Sequence, residues 1–471
     1  MIELDELKGF SLSSSAVALE EFSTLRLGDA RLDRRLRTSF QSMMNNPGKS
    51  IPEQSGGWAE AKAFYRLLDH ESMSAESVLK AHAQSSLRRA IDSGERTILA
   101  IQDTTSLNFT KRKELDGLGT LSDKGEGLYV HSTMLMGANS GNIYGLLGAK
   151  IFARSKIKRS TQSASIRNRL PIQEKESYRW LESFNDSVQD VPNPRDFHLV
   201  HVADREADIY ELLLAAQAHR KDGMDLLVRS NHNRGQSQRE DRIWDSLSAR
   251  PACGRMRVSL PRSRGLQKEE IEVSVRYEPY NLSAPVDKVK YQKITESVQA
   301  TLIEVRGGTS ERPILWRLLT SLNVQSSQRA EEIVGWYVAR WQIEVFHRVL
   351  KTGCKVESRQ MREMSRLRPM IALDMVVAVH LMSMLCIART EPEAAASRCL
   401  DPLQIKILCQ CIPKKPIEVE ALTMEIAVLR IARMGGFLGR KNDGKPGAEV
   451  LWRGMQKLNT LCQSAHLFKN I

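Results

Sequence analysis

The 471-residue sequence predicts a mixed α/β protein in which a central sheet lies between two helical regions. Three observations predict it: two short apolar runs that each end at an aspartate, a long stretch of alternating residues, and helical spacing at both ends of the chain. We expect a helical domain at 1–75, a core at 76–375 with a β-rich insertion at about 222–322, and a helical domain at 376–471.

The chain is basic, since 69 Lys and Arg residues against 56 Asp and Glu residues give a formal net charge of +13. Such a charge favours polyanionic partners, although it also serves simple solubility. The acidic N-terminus is unlike a secretory signal. The most apolar stretch, 370–386, is interrupted by Asp374 and His380, which predicts a buried helix and no membrane association. Seven scattered cysteines predict reduced thiols in the cytoplasm.

The first 75 residues have helical spacing and a basic cluster, with a break at 46–50. In a helix, Arg31, Arg34 and Arg35 share one face, because residues three and four positions apart are neighbours. The pattern leaves two interpretations open. The face is either simply solvated or a surface that contacts phosphates.

Two apolar runs have the length of buried strands and end at polar residues. The run 98–101 leads to Asp103, and the run 197–203 leads to Asp204. Sites in open α/β sheets are built at the edge where such strands end, so both carboxylates are expected at one edge. An isolated aspartate after a strand also serves as a helix cap or turn residue, and the pattern alone leaves that alternative open.

Between 225 and 322 the residues alternate in short segments separated by Gly, Pro, Ser and Asn, which predicts antiparallel strands. A long helix is then expected from Ser327 past Lys351. One stripe of this helix carries polar groups, namely Tyr337, Arg340, Glu344 and Lys351. An adjacent apolar stripe would pack on the sheet, although a solvated helix also mixes charges.

These groups suit phosphodiester chemistry. Two Mg²⁺ ions about 3.5–4 Å apart activate an oxygen nucleophile and stabilise the leaving oxygen, and such hard cations prefer carboxylate ligands. Asp103, Asp204 and Glu344 would supply these ligands if the fold brings them together. Arg340 and Lys351 would hold DNA phosphates and offset the repulsion among the carboxylates.

At these residues the sequence resembles the DDE transposases of the insertion-sequence-four family, in particular its Tn-five-like members. The signature is Tyr337-x-x-Arg340-x-x-x-Glu344-x-x-x-x-x-x-Lys351, and the segments around Asp103 and Asp204 look like those of the first two catalytic aspartates. Three further segments also fit the family, at 27–31, 64–66 and 431–437.

The resemblance implies an RNase-H-like core with a β-rich insertion, an N-terminal domain that binds DNA ends and a C-terminal dimerisation domain. It implies two Mg²⁺ ions per site held by Asp103, Asp204 and Glu344, with Mn²⁺ as a substitute. Its partners would be double-stranded DNA, both terminal inverted repeats and target, and a second copy of the chain. Water would nick one strand, the freed 3′-OH would form a hairpin and, once that is reopened, attack target DNA. The implied location is the bacterial cytoplasm, at the nucleoid.

The resemblance also implies DNA contacts. Trp316 matches a tryptophan that stacks on a flipped base, and stacking contributes about 1–3 kcal/mol. The expected DNA-binding residues are Tyr337, Arg340, Lys351, Arg348, Trp316, Arg229, Arg31 and Arg66. A basic loop at 150–169 is expected to order on DNA.

Two alternatives remain open. A metal-dependent nuclease or resolvase on the same core would cut DNA without joining it. A catalytically silent DNA-binding regulator would need no acidic ligands. The presence of all three acidic residues of the triad argues against this alternative.

Overall fold

The computed structural model describes residues 14–123, 125–154, 169–191, 197–237, 240–260, 269–410, 416–440 and 443–468. Within these ranges ten strands form one sheet. The strands are β1 (Thr97–Asn108), β2 (Gly119–Thr120), β3 (Glu126–Gly137), β4 (Ile143–Phe152), β5 (His198–Ala203), β6 (Met224–Arg229), β7 (Gly254–Leu260), β8 (Glu269–Leu282), β9 (Val298–Gly308) and β10 (Pro313–Thr320).

Helices precede, flank and follow the sheet, so the predicted mixed α/β class is confirmed. The helices are α1 (Ser14–Glu21), α2 (Ala30–Asn45), α3 (Ile51–Gln54), α4 (Trp58–Leu68), α5 (Ala75–Asp92), α6 (Tyr178–Asp190), α7 (Tyr210–His219), α8 (Ile243–Ser248), α9 (Val286–Gln292), α10 (Ser327–Ala339), α11 (Trp341–Arg348), α12 (Met364–Thr390), α13 (Pro402–Gln410), α14 (Met424–Met434) and α15 (Ala448–Phe468).

Three parallel strands, β1, β5 and β6, form the centre of the sheet. On one side β3 pairs antiparallel with β1, and β4 with β3. On the other side β10, β9, β8 and β7 continue the sheet as antiparallel neighbours of one another. The structure differs from the expected insertion at its start, because β6 pairs in parallel with β5 and so belongs to the central block. The later strands extend the same sheet.

The N-terminal segment folds into helices as predicted. Asp29 caps α2 by accepting a hydrogen bond of 2.7 Å from the backbone N–H of Arg31. Leu36 and Phe40 face the core of the protein, while Arg31 and Arg34 are exposed. The helix ends at Asn45, so the predicted break is confirmed.

The helix predicted from Ser327 past Lys351 has three parts. α10 begins at Ser327, where Ser326 caps it, and ends at Ala339. The backbone N–H of Arg340 bonds to the carbonyl of Tyr337, three residues back, which tightens the turn before α11. A π-helical turn then spans Val349–Gly353. Because Arg340 itself has helical backbone angles, the chain continues in nearly the same direction.

The apolar stretch at 370–386 lies within α12 and is buried, as predicted. By length and composition α12 could cross a membrane, but its apolar window is wholly buried inside the protein, as in the core helix of a soluble protein. Asp374 is buried on this helix and accepts hydrogen bonds of 2.8 and 2.5 Å from Arg359. A buried carboxylate is tolerated when a cation pairs with it in this way.

Candidate active site

Asp103 and Asp204 lie side by side at one edge of the parallel strands. The register of β1 and β5 pairs Ile101 with Val202, and each aspartate lies two residues further along its strand. Asp204 directly follows β5, as expected. Asp103 differs from the prediction, since β1 continues to Asn108 because β3 still pairs with it there. Asp103 therefore marks the point where the parallel pairing ends, and not the end of the strand.

Glu344 reaches the same place from α11, which packs against β1. The carboxylates of Glu344 and Asp204 are both near enough to raise the pKa of Asp103. Burial is the larger cause, and together these effects raise the pKa of Asp103 to about 6 despite the opposing charge of Arg340. The charges of Glu344 and Asp204 thus reach Asp103, and holding the three anions near one another is costly. In the described part of the chain their ligand atoms do not all lie within 4.8 Å of one another, so a shared cation would draw them closer.

Arg340 lies among these carboxylates. Its Nη2 donates a hydrogen bond of 2.7 Å to Oε1 of Glu344, and its Nη1 lies 3.9 Å from Oδ2 of Asp103. The guanidinium is largely buried, with 12% of the side chain exposed. At such partial burial an ion pair is screened less than at the surface. Arg340 therefore offsets the repulsion between Glu344 and Asp103.

Tyr337 connects the helix to the third carboxylate. Its hydroxyl donates a hydrogen bond of 3.2 Å to Oδ1 of Asp204. Burial and the charge of Asp204 raise the pKa of Tyr337 to about 12, so the phenol keeps its proton. Trp316 packs edge-on against the Tyr337 ring with centroids 5.7 Å apart. The charge of Arg229 also acts on the Tyr337 phenol. Asp204 and Trp316 therefore both contact Tyr337, and Arg229 is near enough for its charge to act on the phenol.

Two further predicted DNA contacts lie beyond Glu344. Lys351 lies in the π-helical turn, and its charge acts on His347. Arg348 is exposed at the end of α11. A π-helical turn is wider than a regular helical turn, so it changes the angular position of Lys351 relative to Glu344. Lys351 therefore does not follow the polar stripe that one regular helix would give.

Arg31 and Arg66 lie apart from this cluster in the N-terminal helices. Both are exposed, Arg31 at the first turn of α2 and Arg66 in the last turn of α4. Of the predicted basic loop, residues 155–168 lie outside the described part of the chain. At its near end Lys150 pairs with Glu182 and Asp186 at 2.9 Å each, so this lysine already has acidic partners.

Two side chains near Asp103, His347 and Arg179, are not among the site residues predicted from the sequence. His347 Nδ1 lies 4.0 Å from Oδ2 of Asp103, and burial with the charges of Lys351 and Arg340 lowers its pKa to about 3. The imidazole is therefore neutral. The Nε of Arg179 donates a hydrogen bond of 3.0 Å to the hydroxyl of Thr104, the residue that follows Asp103. The helical position of His347 gave a signal, whereas nothing local in the sequence indicates Arg179.

Glu206 and Asp208 follow Asp204 closely but have different places in the fold, since Glu206 lies in the first turn of a short 3₁₀ helix and Asp208 lies after it. A 3₁₀ turn spans Arg205–Ala207, and α7 begins only at Tyr210. Asp208 is buried and accepts hydrogen bonds of 2.6 Å from the Asn231 N–H and 2.5 Å from Arg234. It therefore anchors the loop that follows β6.

A second cluster lies in the interior, where ligand atoms of Glu21, His82 and His380 lie within 4.8 Å of one another. The backbone N–H of Leu146 donates to His82 Nε2, so Nδ1 carries the proton that is donated to Glu21 at 2.6 Å. Arg89 Nη1 and His380 Nε2 contact the other oxygen at 2.6 and 2.8 Å. This carboxylate already has a cation and two ring nitrogens as partners. We interpret the cluster as a structural network.

Two segments of the chain resemble known protein families. Residues 14–73 match the family model described as Transposase DNA-binding, and residues 376–470 match the model described as Transposase Tn5 dimerisation domain. The matches therefore support a class of protein, a transposase with a DNA-binding domain and a dimerisation domain. Within that class they support a Tn5-like transposase. Such domains imply a DNA-processing enzyme.

Proposed function

We propose that the chain is a cut-and-paste DNA transposase of the DDE type, a member of the insertion-sequence-four family with the Tyr-Arg-Glu-Lys signature. Its parallel strands and α11 would form an RNase-H-like core. The observation that carries the proposal is that Arg340 donates a hydrogen bond to Glu344 and lies within electrostatic reach of both Asp103 and Asp204. The matches to transposase DNA-binding and dimerisation domains at either end of the chain support it.

The donor set fits divalent magnesium. All three candidate ligands are carboxylates, the hard oxygen ligands that Mg²⁺ prefers, and Mn²⁺ accepts them as well. The raised pKa of Asp103 reflects the cost of holding an anion in a buried site beside two others. A pair of cations bound here would remove that cost, activate an oxygen nucleophile and stabilise charge on the leaving oxygen. Asp103, Asp204 and Glu344 would hold them.

The remaining side chains position the substrate. Arg340 carries a fork of N–H donors that matches the oxygens of a phosphate, so it would move from Glu344 to the DNA backbone when cations neutralise the carboxylates. Tyr337 keeps Asp204 oriented through its hydroxyl. Neutral His347 beside Asp103 would offer a hydrogen bond without adding charge.

The partially buried Trp316 provides the aromatic surface for a hairpin intermediate. A hairpin at a blunt end requires a base to leave the stack, at a cost of a few kcal/mol. Stacking on an indole returns about 1–3 kcal/mol. Trp316 lies against Tyr337, which itself contacts Asp204, so the stacked base would lie next to the reacting phosphate.

The proposed substrates are the terminal inverted repeats of the element and its target DNA, acted on by a homodimer. The test uses the full-length protein, Mg²⁺ and duplexes that carry the inverted repeats flanking its gene. We expect cleavage through a hairpin, followed by joining of precut ends to a plasmid. A pure nuclease would cut but yield no joined product, and a silent DNA-binding protein would do neither. Either result overturns the proposal.

A further inference from the structure

Arg179, in the first turn of α6, joins the two segments that carry Asp103 and Asp204. Its Nε bonds to the hydroxyl of Thr104, the neighbour of Asp103, at 3.0 Å. Its Nη2 donates a hydrogen bond of 2.5 Å to Glu206, which lies in the 3₁₀ turn that follows Asp204. One guanidinium therefore contacts both segments at once.

Among the described residues, the backbone pairing of β1 with β5 stops short of both aspartates. The parallel register ends at Ile101 and Val202, two residues before each of them. Beyond that point β1 continues as a partner of β3, and β5 ends one residue before Asp204. The separation of Asp103 from Asp204 therefore depends on side-chain contacts, and Arg179 supplies one of them.

The guanidinium of Arg179 has a fixed position of its own. Its Nη1 donates a hydrogen bond of 2.7 Å to the backbone carbonyl of Glu176, and it lies 5.7 Å from the ring centroid of the buried Trp180. Because only 14% of the Arg179 side chain is exposed, solvent screens its contacts less than at the surface. Glu206 is more exposed, so this ion pair contributes less than the bond to Thr104.

Thr104 connects Arg179 to the carboxylate of Asp103. The backbone N–H of Thr104 donates a hydrogen bond of 2.8 Å to Oδ1 of Asp103. The hydroxyl of Thr104 also lies 2.9 Å from Nδ1 of the buried His131. Successive side chains of a strand point to opposite faces, so Arg179 acts from the face opposite to Asp103. A shift of Thr104 would therefore change the orientation of the Asp103 carboxylate.

We propose that Arg179 is a positioning residue that sets the separation of Asp103 and Asp204 as metal ligands. Among the described residues its side chain contacts Thr104 and Glu206 and not the two carboxylates, so it acts on the metals indirectly. Loss of a group that orients metal ligands typically weakens metal binding about 10–100-fold. The inference rests on the proposed function, since it requires that these carboxylates bind cations.

Calorimetry with Mn²⁺ on the DNA-free, full-length protein tests the proposal. Arg179→Met should bind Mn²⁺ about tenfold more weakly than the wild type, and so should Thr104→Val, which keeps the shape but loses the hydroxyl. Thr104→Ser keeps the hydroxyl and should restore binding, which a loss of packing alone would not do. Arg154→Met is the matched control, because Arg154 donates a hydrogen bond of 2.8 Å to Glu176 and contacts neither segment in the described part of the chain.

Mn²⁺ binding by Arg179→Met that equals the wild type overturns the proposal, even if cleavage of DNA falls, since the arginine would then act on DNA alone. Hydrogen exchange in EDTA gives a second measurement. The backbone amides of 103–105 and 204–208 should exchange faster in Arg179→Met than in the wild type or in Arg154→Met, and unchanged exchange also overturns the proposal.

Failure of this inference can be told apart from failure of the proposed function. A wild-type protein that binds Mn²⁺ and cleaves end DNA, while Arg179→Met binds Mn²⁺ equally well, refutes the positioning role alone. A wild-type protein that neither binds Mn²⁺ nor cleaves DNA refutes the proposed function, and the positioning role with it.

Discussion

The guanidinium of Arg340 donates a hydrogen bond of 2.7 Å to Oε1 of Glu344, four residues further along the helical segment. The same group lies 3.9 Å from Asp103. Arg340 therefore offsets the charge of two of the proposed metal ligands. When DNA is bound, the same N–H donors of Arg340 would be needed to bind a phosphate. Arg340 thus has two roles that a substitution can separate.

Arg340→Met is expected to have opposite effects on metal binding and on catalysis. With the competing cation gone, the carboxylates repel one another more strongly, so Mn²⁺ should bind the DNA-free protein about tenfold more tightly, equivalent to about 1.4 kcal/mol. Cleavage of end DNA should fall about a hundredfold, because a phosphate contact is lost. Calorimetry with Mn²⁺ and a gel assay measure the two effects.

The matched control is Arg329→Met, since Arg329 pairs with Glu332 at the surface of α10, at 2.6 Å. This variant should resemble the wild type in both assays. Weaker Mn²⁺ binding by Arg340→Met, together with unchanged cleavage, would contradict both roles of Arg340.

Asp103→Asn is expected to stabilise the metal-free protein at neutral pH. The pKa of Asp103 is raised from 3.8 to about 6 by folding, chiefly through burial. Between these values the folded state holds a proton that the unfolded chain has lost, so stability falls as pH rises through the window. The full cost above pH 6 is about 1–3 kcal/mol, at 1.36 kcal/mol per unit. Asparagine removes that cost.

Thermal unfolding in EDTA at pH 4 and pH 8 measures this effect. The variant should match the wild type at pH 4 and exceed it at pH 8, while Glu206→Gln, at an exposed carboxylate beside the site, should show no such difference. Equal unfolding temperatures for Asp103→Asn and the wild type at pH 8 would show that folding does not raise the pKa of Asp103.

Arg31→Ala and Arg66→Ala are expected to weaken binding of end DNA and reduce its salt dependence. Each exposed arginine that neutralises a phosphate releases counterions, so the slope of log K against log salt should fall by about 0.9 per contact. Lys406→Ala provides a comparison, because Lys406 is exposed on α13, in the segment that matches the dimerisation model. If all three variants give the wild-type slope, the basic face of the N-terminal helices is only solvated.

Glu21→Gln is expected to destabilise the whole chain. The substitution keeps the shape but removes the shorter and fully buried of the two ion pairs of Arg89, leaving only the partly exposed Glu20. Breaking a buried pair costs about 3–5 kcal/mol. Glu20→Gln is the control, since Glu20 is partly exposed and lies 3.3 Å from the same arginine. Urea unfolding should show a large loss for the first variant and less than about 1 kcal/mol for the second. Losses of stability that are small for both variants would contradict a structural role for the interior network around Glu21.

The main features of the site were accessible from the sequence because they rest on simple periodicities. Apolar runs that stop at Asp103 and Asp204 imply neighbouring strand positions, and helical spacing relates Tyr337, Arg340 and Glu344. The extension of β1 beyond Asp103 depends instead on pairing with β3, which no local pattern encodes.

Other features depend on contacts between residues far apart in the chain. The partners of Asp208, Asn231 and Arg234, follow β6 in the chain and approach Asp208 only when β6 pairs with β5. Arg179 reaches Thr104 from α6. The π-helical turn at Val349–Gly353 shifts Lys351 away from ideal helical geometry. Such tertiary effects override local preference.

Anomalous diffraction from crystals soaked in Mn²⁺ tests the central claim most directly. Two anomalous peaks about 3.5–4 Å apart are expected, with oxygens of Asp103, Asp204 and Glu344 as their protein ligands. Soaked crystals of Glu344→Ala should lose at least one peak. The account would be contradicted if wild-type crystals saturated with Mn²⁺ showed the ion at other sites and none between these three carboxylates.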